Sequence, residues 1–232
     1  MISKKIPLSS FIYYLKTDKP FSFSRWGDGE WNCMLGEEGG NCDGHLYYPD
    51  LGKALTGVLR NNFPYYHGWL NVSNLAGREK IEDHIQKNNI KVEWVDGSVL
   101  IDSAIKGELY PFMAELRKKK FCLVGPSYLS KIEKQMNLMT CSHVLVPEVN
   151  CWNDRVRIHK DIYSVIDNNR PEVIGFSCGM PSKVFIDHIW NDMRGKITLI
   201  DFGSLLDVFA GKKSRTYHGN ITAEIIKKNV KG

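Results

Sequence analysis

From about residue 91 to residue 201, short apolar runs alternate with stretches of helical periodicity, and this alternation restricts the fold more than any other feature. The apolar runs are 91–95, 120–124, 143–146, 172–177 and 196–201; helical spacing fills parts of 98–118, then 127–138, 154–167 and 182–193. Strands separated by helices pair in parallel, because a parallel neighbour needs a crossover connection long enough to hold a helix. Upstream, 8–16 reads as a short amphipathic helix, and 21–25 as a strand whose Phe21, Phe23 and Arg25 share one side. A helix over 30–35 ends near Gly36, Asp50 is positioned to cap a helix carrying Leu51, Leu55, Val58 and Leu59, and Ser73 or Asn74 to cap another with Leu75, Ile81 and Ile85. No Pro/Gly/Ser-rich linker divides the chain, so 1–232 reads as one α/β domain with a largely parallel sheet flanked by helices. Open sheets of this kind collect ligands outside the carboxyl ends of their strands.

Composition sets limits around that frame. A 43% hydrophobic and 25% charged chain is globular, which excludes disorder without favouring an activity. The net charge of +5 is spread along the sequence apart from 117–120 and 212–215, so no clustered face for nucleic acid is expected. Those two basic runs read first as a solvated helix end or tail, and second as an attraction for an anionic substrate or membrane surface. Six cysteines without CxxC spacing argue against a zinc ribbon or a disulfide scaffold and fit reduced core residues in a cytoplasmic protein. No apolar stretch reads as a signal peptide or transmembrane segment.

The densest chemistry lies where the first strand ends, at Arg25-Trp26-Gly27-Asp28-Gly29-Glu30. Two glycines give the loop backbone freedom, and Asp28 and Glu30 are free to converge on one ligand. Paired carboxylates suit Mg²⁺ or Mn²⁺, which commonly complete their shell with water and substrate phosphates, so a diphosphate substrate follows. A tight acidic turn with Asp28 capping the next helix explains the same spacing equally well. Arg25 is placed either to clamp a diphosphate or to hold Asp28.

Other strand exits carry weaker signals. Gly125 and Ser127 form a turn whose amides suit a phosphate, although Ser127 is more ordinary as a helix cap. Asn150 and Trp152 follow the 143–146 strand; Trp152 offers a flat face for a base or sugar, and buried packing is its commoner use. Gly179, Ser182 and Lys183 open a helix where a lysine is electrostatically unusual unless an anion is near, which favours phosphate binding. Asp201 ends its strand as a carboxylate for ribose, metal or acceptor, or as a plain turn residue. Arg155 and His159 share one face of the following helix and read mainly as solvated charge.

The Arg25–Glu30 block resembles the Arg-Phe-Gly-Asp-Gly-Glu signature of the GT-D type glycosyltransferases, whose Asp-x-Glu motif stands where other transferases carry Asp-x-Asp. Pro147 with Asn150-Cys151-Trp152, the turn from Gly179 to Phe185, and Ile200-Asp201-Phe202-Gly203 are similar to later blocks of that family in the same order. One departure is plain: the family continues Ile-Asp-Ile-Gly with His-x-Asp, whereas Ser204, Leu205 and Leu206 follow here and the next aspartate is Asp207. The resemblance implies a GT-D-like, Rossmann-like domain that moves a sugar from a nucleotide-diphosphate donor, such as a UDP-sugar, to a glycan, glycoprotein or glycolipid acceptor in polysaccharide or glycoprotein synthesis. It implies Mn²⁺ or Mg²⁺ on Asp28 and Glu30, with Asp201 as a further catalytic residue. The strand-exit readings together draw a donor pocket from Arg25, Gly27, Gly125, Ser127, Asn150, Trp152, Gly179, Ser182 and Lys183. An inverting reaction would need a general base, for which Asp201, Asp207 and Asp43 are unranked candidates.

Two other classes use the same materials. A nucleotidyltransferase or phosphohydrolase also employs carboxylates and divalent ions, and six tryptophans and ten tyrosines would serve a non-catalytic nucleotide- or glycan-binding module. No histidine pair has zinc-site spacing, and neither a P-loop, a G-x-S-x-G nor a G-x-G-x-x-G occurs.

Overall fold

The structure is a computed structural model that describes residues 3–60, 64–70, 75–193 and 195–232. In chain order its elements are α1 (Leu8–Lys16), β1 (Ser22–Trp26), α2 (Asp28–Leu35), α3 (Pro49–Val58), β2 (Tyr65–Trp69), α4 (Leu75–Lys87), β3 (Trp94–Asp96), α5 (Val99–Lys106), α6 (Tyr110–Leu116) and β4 (Phe121–Gly125). There follow α7 (Lys131–Met136), β5 (Thr140–Leu145), α8 (Arg155–Asn169), β6 (Val173–Phe176), α9 (Ser182–Asp192), β7 (Thr198–Asp201), α10 (Leu205–Phe209) and α11 (Ala223–Lys231). The strands form one seven-stranded sheet in the order β3-β2-β1-β7-β6-β4-β5, and each pair is parallel. The chain winds outward from β1 through β2 to β3, crosses over, and returns so that β7 lies against β1.

Alternation along the strands produces the two-faced core. Trp26, Cys122, Val124, Ile174, Phe176 and Leu199 pack with α3, α8 and α9 on one side. Phe21, Phe23, Phe121, Leu123, Val173 and Ile200 pack with α1, α5, α6 and α11 on the other. Gly175 is forced by that packing: a Cβ there would stand 2.6 Å from the Phe121 ring and 2.8 Å from that of Phe202. The C-terminal helix is pinned by Asn229, which accepts from Leu109 N at 3.0 Å and donates to Ala104 O at 2.7 Å.

Several local expectations shift. α2 begins at Asp28, two residues earlier than the apolar pattern marks, because Gly27 is extended and serves as the N-cap. Asp50 does not cap α3: Tyr48 is the N-cap and Pro49 the first residue, a position where a missing N–H costs nothing. Ser73 and Asn74 lie outside the described residues. The 127–138 stretch opens with a 3₁₀ turn, and α7 stops where Asn137 turns left-handed. β2 went unread because Tyr65-Tyr66-His67-Gly68-Trp69 lacks the aliphatic run expected of a central strand; Gly68 lets the Phe23 ring approach to 2.9 Å of its would-be Cβ.

His67 sits inside that strand, 1% exposed, with Nε2 3.1 Å from Arg60 O, and burial pushes its pKa down to about 4. Its folded value lies below the unfolded one near 6.5, so the unfolded chain takes up the proton first as pH falls. Stability supported by neutral His67 is full above pH 6.5 and is lost between about 6.5 and 4, amounting to roughly 3 kcal/mol. Urea midpoints at pH 7, 5.5 and 4.5 should therefore fall with a slope that is shallower in His67→Gln; parallel slopes would clear His67 of the effect.

Candidate active site

The site grows from the carboxyl ends of β1 and β7. Beyond Trp26 the chain is extended at Gly27 and enters α2 at Asp28, and Glu30 in the first turn reaches back so that its Oε2 accepts from Gly27 N at 2.9 Å. This is the carboxylate half of a capping box. Asp28 is exposed, with Oδ1 accepting from Gly29 N at 3.0 Å. Asp201 joins the two strands: its Oδ2 accepts from Arg25 N at 3.1 Å and its Oδ1 from Gly203 N at 2.9 Å.

Between these acids lies Lys183, in the first turn of α9 and 4% exposed. Its Nζ is 2.6 Å from Glu30 Oε1 and 2.9 Å from Asp201 Oδ2. Burial alone would lower this ammonium's pKa, but Asp201 and Glu30 outweigh it, and the pKa stands above that of an ordinary lysine. The anions that a lysine at this helix start requires are thus two side chains of the protein itself.

Arg25 is in the opposite condition. It is 8% exposed and donates from Nη1 to Phe202 O at 2.9 Å, while its buried Nε has no partner. No carboxylate pairs with its guanidinium among the described residues, and it does not hold Asp28.

All of these groups line one cavity of about 610 Å³, within the usual range for a small-molecule site. Of the residues singled out in the sequence, Arg25, Gly27, Asp28, Glu30, Gly179, Lys183 and Asp201 line it, as do Asp43 and Asp207. Gly125, Ser127, Asn150, Trp152 and Ser182 do not. Ser127 is exposed outside it, and Gly125 is sealed by the Leu129 side chain, 2.8 Å from a would-be Cβ. Ser182 is fully buried against Cys178 Sγ at 3.2 Å. Trp152 is 7% exposed in the core and carries the Arg155 guanidinium over its ring at 4.8 Å, so it offers no open face for stacking. Asn150 instead braces a loop, accepting from Leu46 N at 2.8 Å and donating its own N–H to His45 Nδ1 at 3.1 Å.

Two segments without a motif complete the walls. The 41–45 loop brings Asp43 and His45, and the stretch after α10 brings Lys212, Ser214, Arg215 and Tyr217. Arg215 pairs with both oxygens of Asp43, and Lys212 with Glu148 at 2.8 Å. Burial lowers the pKa of His45 despite nearby Asp43 and Glu30, so the ring is neutral, and Nδ1 accepts from Asn150, which leaves the proton on Nε2. The basic run 212–215, with its attraction for an anionic substrate, was the available signal.

The carboxylates fit a divalent ion in a restricted way. Glu30 has both oxygens engaged, by an ammonium and an amide, so Asp28 is the exposed carboxylate of the pair. Mg²⁺ and Mn²⁺ are commonly held by one or two carboxylates plus substrate phosphates, and Asp28 with diphosphate oxygens meets that description. Among the described residues no three His, Cys, Asp or Glu side chains converge into a ready-made metal cage. All six cysteines are free thiols, four of them buried, and no helix among the described residues is long and apolar enough to cross a membrane.

No protein-family model matches this sequence, and no curated protein matches it. Solved structures do. The chain is similar to a glycosyltransferase (DUF1792) from Streptococcus sanguinis, with TM-score 0.64 and 14% identity over 88% of this chain and 82% of that one. It is also similar to a DUF1792 domain described as having a distinct glycosyltransferase fold, with TM-score 0.62 and 19% identity over 87% and 78%. A selenomethionine-substituted DUF1792 domain matches with TM-score 0.61 and 19% identity over 88% and 79%. At such identities the likeness establishes architecture: this single α/β domain, with its seven-stranded parallel sheet, has the fold of the DUF1792 glycosyltransferase structures.

Proposed function

We propose that this protein is a glycosyltransferase that takes a sugar from a nucleoside-diphosphate donor and passes it to an acceptor hydroxyl on a glycan, glycoprotein or glycolipid. The observation that carries the reading is Arg25, a buried guanidinium on the wall of the strand-end cavity with no counter-ion among the described residues. An unpaired buried cation is costly until an anion arrives, and its planar fork of donors matches phosphate oxygens. The shared fold with solved glycosyltransferases supports the same reading.

The residues divide the work. Arg25 binds the diphosphate, and the positive end of α2 stands beside Asp28. Lys183 holds Glu30 and Asp201 in place, which sets the position of the Gly27–Glu30 turn rather than touching the donor. A Mn²⁺ or Mg²⁺ ion held by Asp28 and the diphosphate would supply charge neutralisation on the departing nucleotide. The free thiols suit a reducing compartment such as the cytoplasm.

The test is nucleotide release from a panel of UDP- and GDP-sugars with Mn²⁺, with and without simple glycosides as acceptors. At least one donor should be turned over. Asp28→Asn should lower kcat by about 100-fold or more, since metal assistance amounts to several kcal/mol. Full turnover in excess EDTA together with an active Asp28→Asn would remove the ion; no release from any donor would sink the transferase reading.

A further inference from the structure

Six carboxylates line the cavity: Asp28, Glu30, Asp43, Glu148, Asp201 and Asp207. Four are held by cations, Glu30 and Asp201 by Lys183, Asp43 by Arg215 and Glu148 by Lys212. Asp28 is exposed on the diphosphate side. Asp207, in α10, is 4% exposed and no cation pairs with it among the described residues. Its Oδ1 accepts from the Tyr128 hydroxyl at 2.8 Å and its Oδ2 from the Ser214 hydroxyl. A carboxylate bound by an ammonium or guanidinium is a poor proton acceptor, whereas Asp207 is bound by hydroxyls, the kind of group an acceptor presents.

We propose that Asp207 is the general base that takes the proton of the acceptor hydroxyl during sugar transfer, an assignment that rests on the transferase reading above. Burial and the neighbouring Asp207 both raise the Tyr128 pKa far above that of a free phenol, so Tyr128 stays a donor and fixes one side of the carboxylate. The base also stands correctly relative to the anion site. Asp207 N donates to Ser204 O at 3.1 Å, the Ser204 hydroxyl meets that of Tyr217 at 3.0 Å, and Tyr217 feels the charges of both Arg25 and Asp207. Ser204 and Tyr217 thus lie between the guanidinium that receives the diphosphate and the carboxylate.

The step balances simply. The acceptor oxygen forms a bond to the anomeric carbon, the bond from that carbon to the diphosphate breaks, and its electron pair leaves on the nucleotide, whose added charge faces Arg25. The acceptor proton passes to Asp207 and then to water. With Asp207 as the base this is one displacement, which inverts the anomeric centre.

The experiment uses the full chain with UDP-glucose, UDP-N-acetylglucosamine and GDP-mannose, with water or p-nitrophenyl glycosides as acceptors. Nucleotide release, UDP affinity by calorimetry and the product anomer by proton NMR are read together. Asp207→Asn should lose about 10²- to 10⁴-fold in kcat with UDP affinity within threefold of the parent. Asp207→Glu should regain part of the rate, and the parent's product should be inverted. Asp207→Asn turning over within tenfold of an active parent, or a product of retained configuration, would overturn the assignment while leaving the transferase reading intact. Loss of UDP binding together with turnover in Asp207→Asn would assign the residue to holding the fold and also overturn it. A parent inactive on every donor would fail both readings at once.

Discussion

Lys183→Met is expected to lower the unfolding free energy by about 3–5 kcal/mol, because it leaves Glu30 and Asp201 buried without their common cation. The loss is larger than for a surface ion pair, since Lys183 is 4% exposed and Asp201 1%. Urea denaturation at pH 7 measures the loss. Lys183→Arg should not restore the parent, because a guanidinium fork does not fit a pocket shaped for one point charge. A difference under about 1 kcal/mol at pH 7 would mean that the three groups are not coupled in solution.

Arg25→Met is expected to weaken UDP binding by about 10- to 150-fold, the equivalent of 1.5–3 kcal/mol for hydrogen bonds to a charged group. Unlike Lys183, Arg25 has no counter-ion to strand among the described residues, where its guanidinium makes one hydrogen bond, to Phe202 O. Removing an unpaired buried charge should leave stability unchanged or raise it. The two cations therefore make opposite predictions from the same cavity: one variant unfolds easily, and the other folds well but binds nucleotide poorly. Calorimetry with UDP and thermal melts of both variants separate the roles. UDP affinity in Arg25→Met within threefold of the parent would take the diphosphate away from Arg25.

Part of this arrangement is written in local sequence. The period of two in Phe21, Ser22, Phe23 and Ser24 sends the phenylalanines to one core, and the glycines at 27 and 29 punctuate the turn into α2. The alternation from 91 to 201 carries the strands β3 to β7, and the inner strands β4, β6 and β7 bury both faces in a parallel sheet and are therefore largely apolar along their length. β2 escaped the same reasoning. Its tyrosines, His67 and Gly68 fit by ring packing against Trp26, Trp94 and Phe23, a property of neighbours far along the chain.

The sequence by itself therefore determined the class of fold and the strand ends at which polar residues accumulate, because those follow from periodicity and from short-range backbone preferences. Only the tertiary structure decided which charges are spent on one another. Lys183 meets Glu30 from 153 residues away and Arg215 meets Asp43 across 172. Among the described residues Arg25 and Asp207 have no ionic partner, and Trp152 is turned into the core. Charge pairing depends on distance in space and on loss of water, and neither quantity has a period that can be read along a chain.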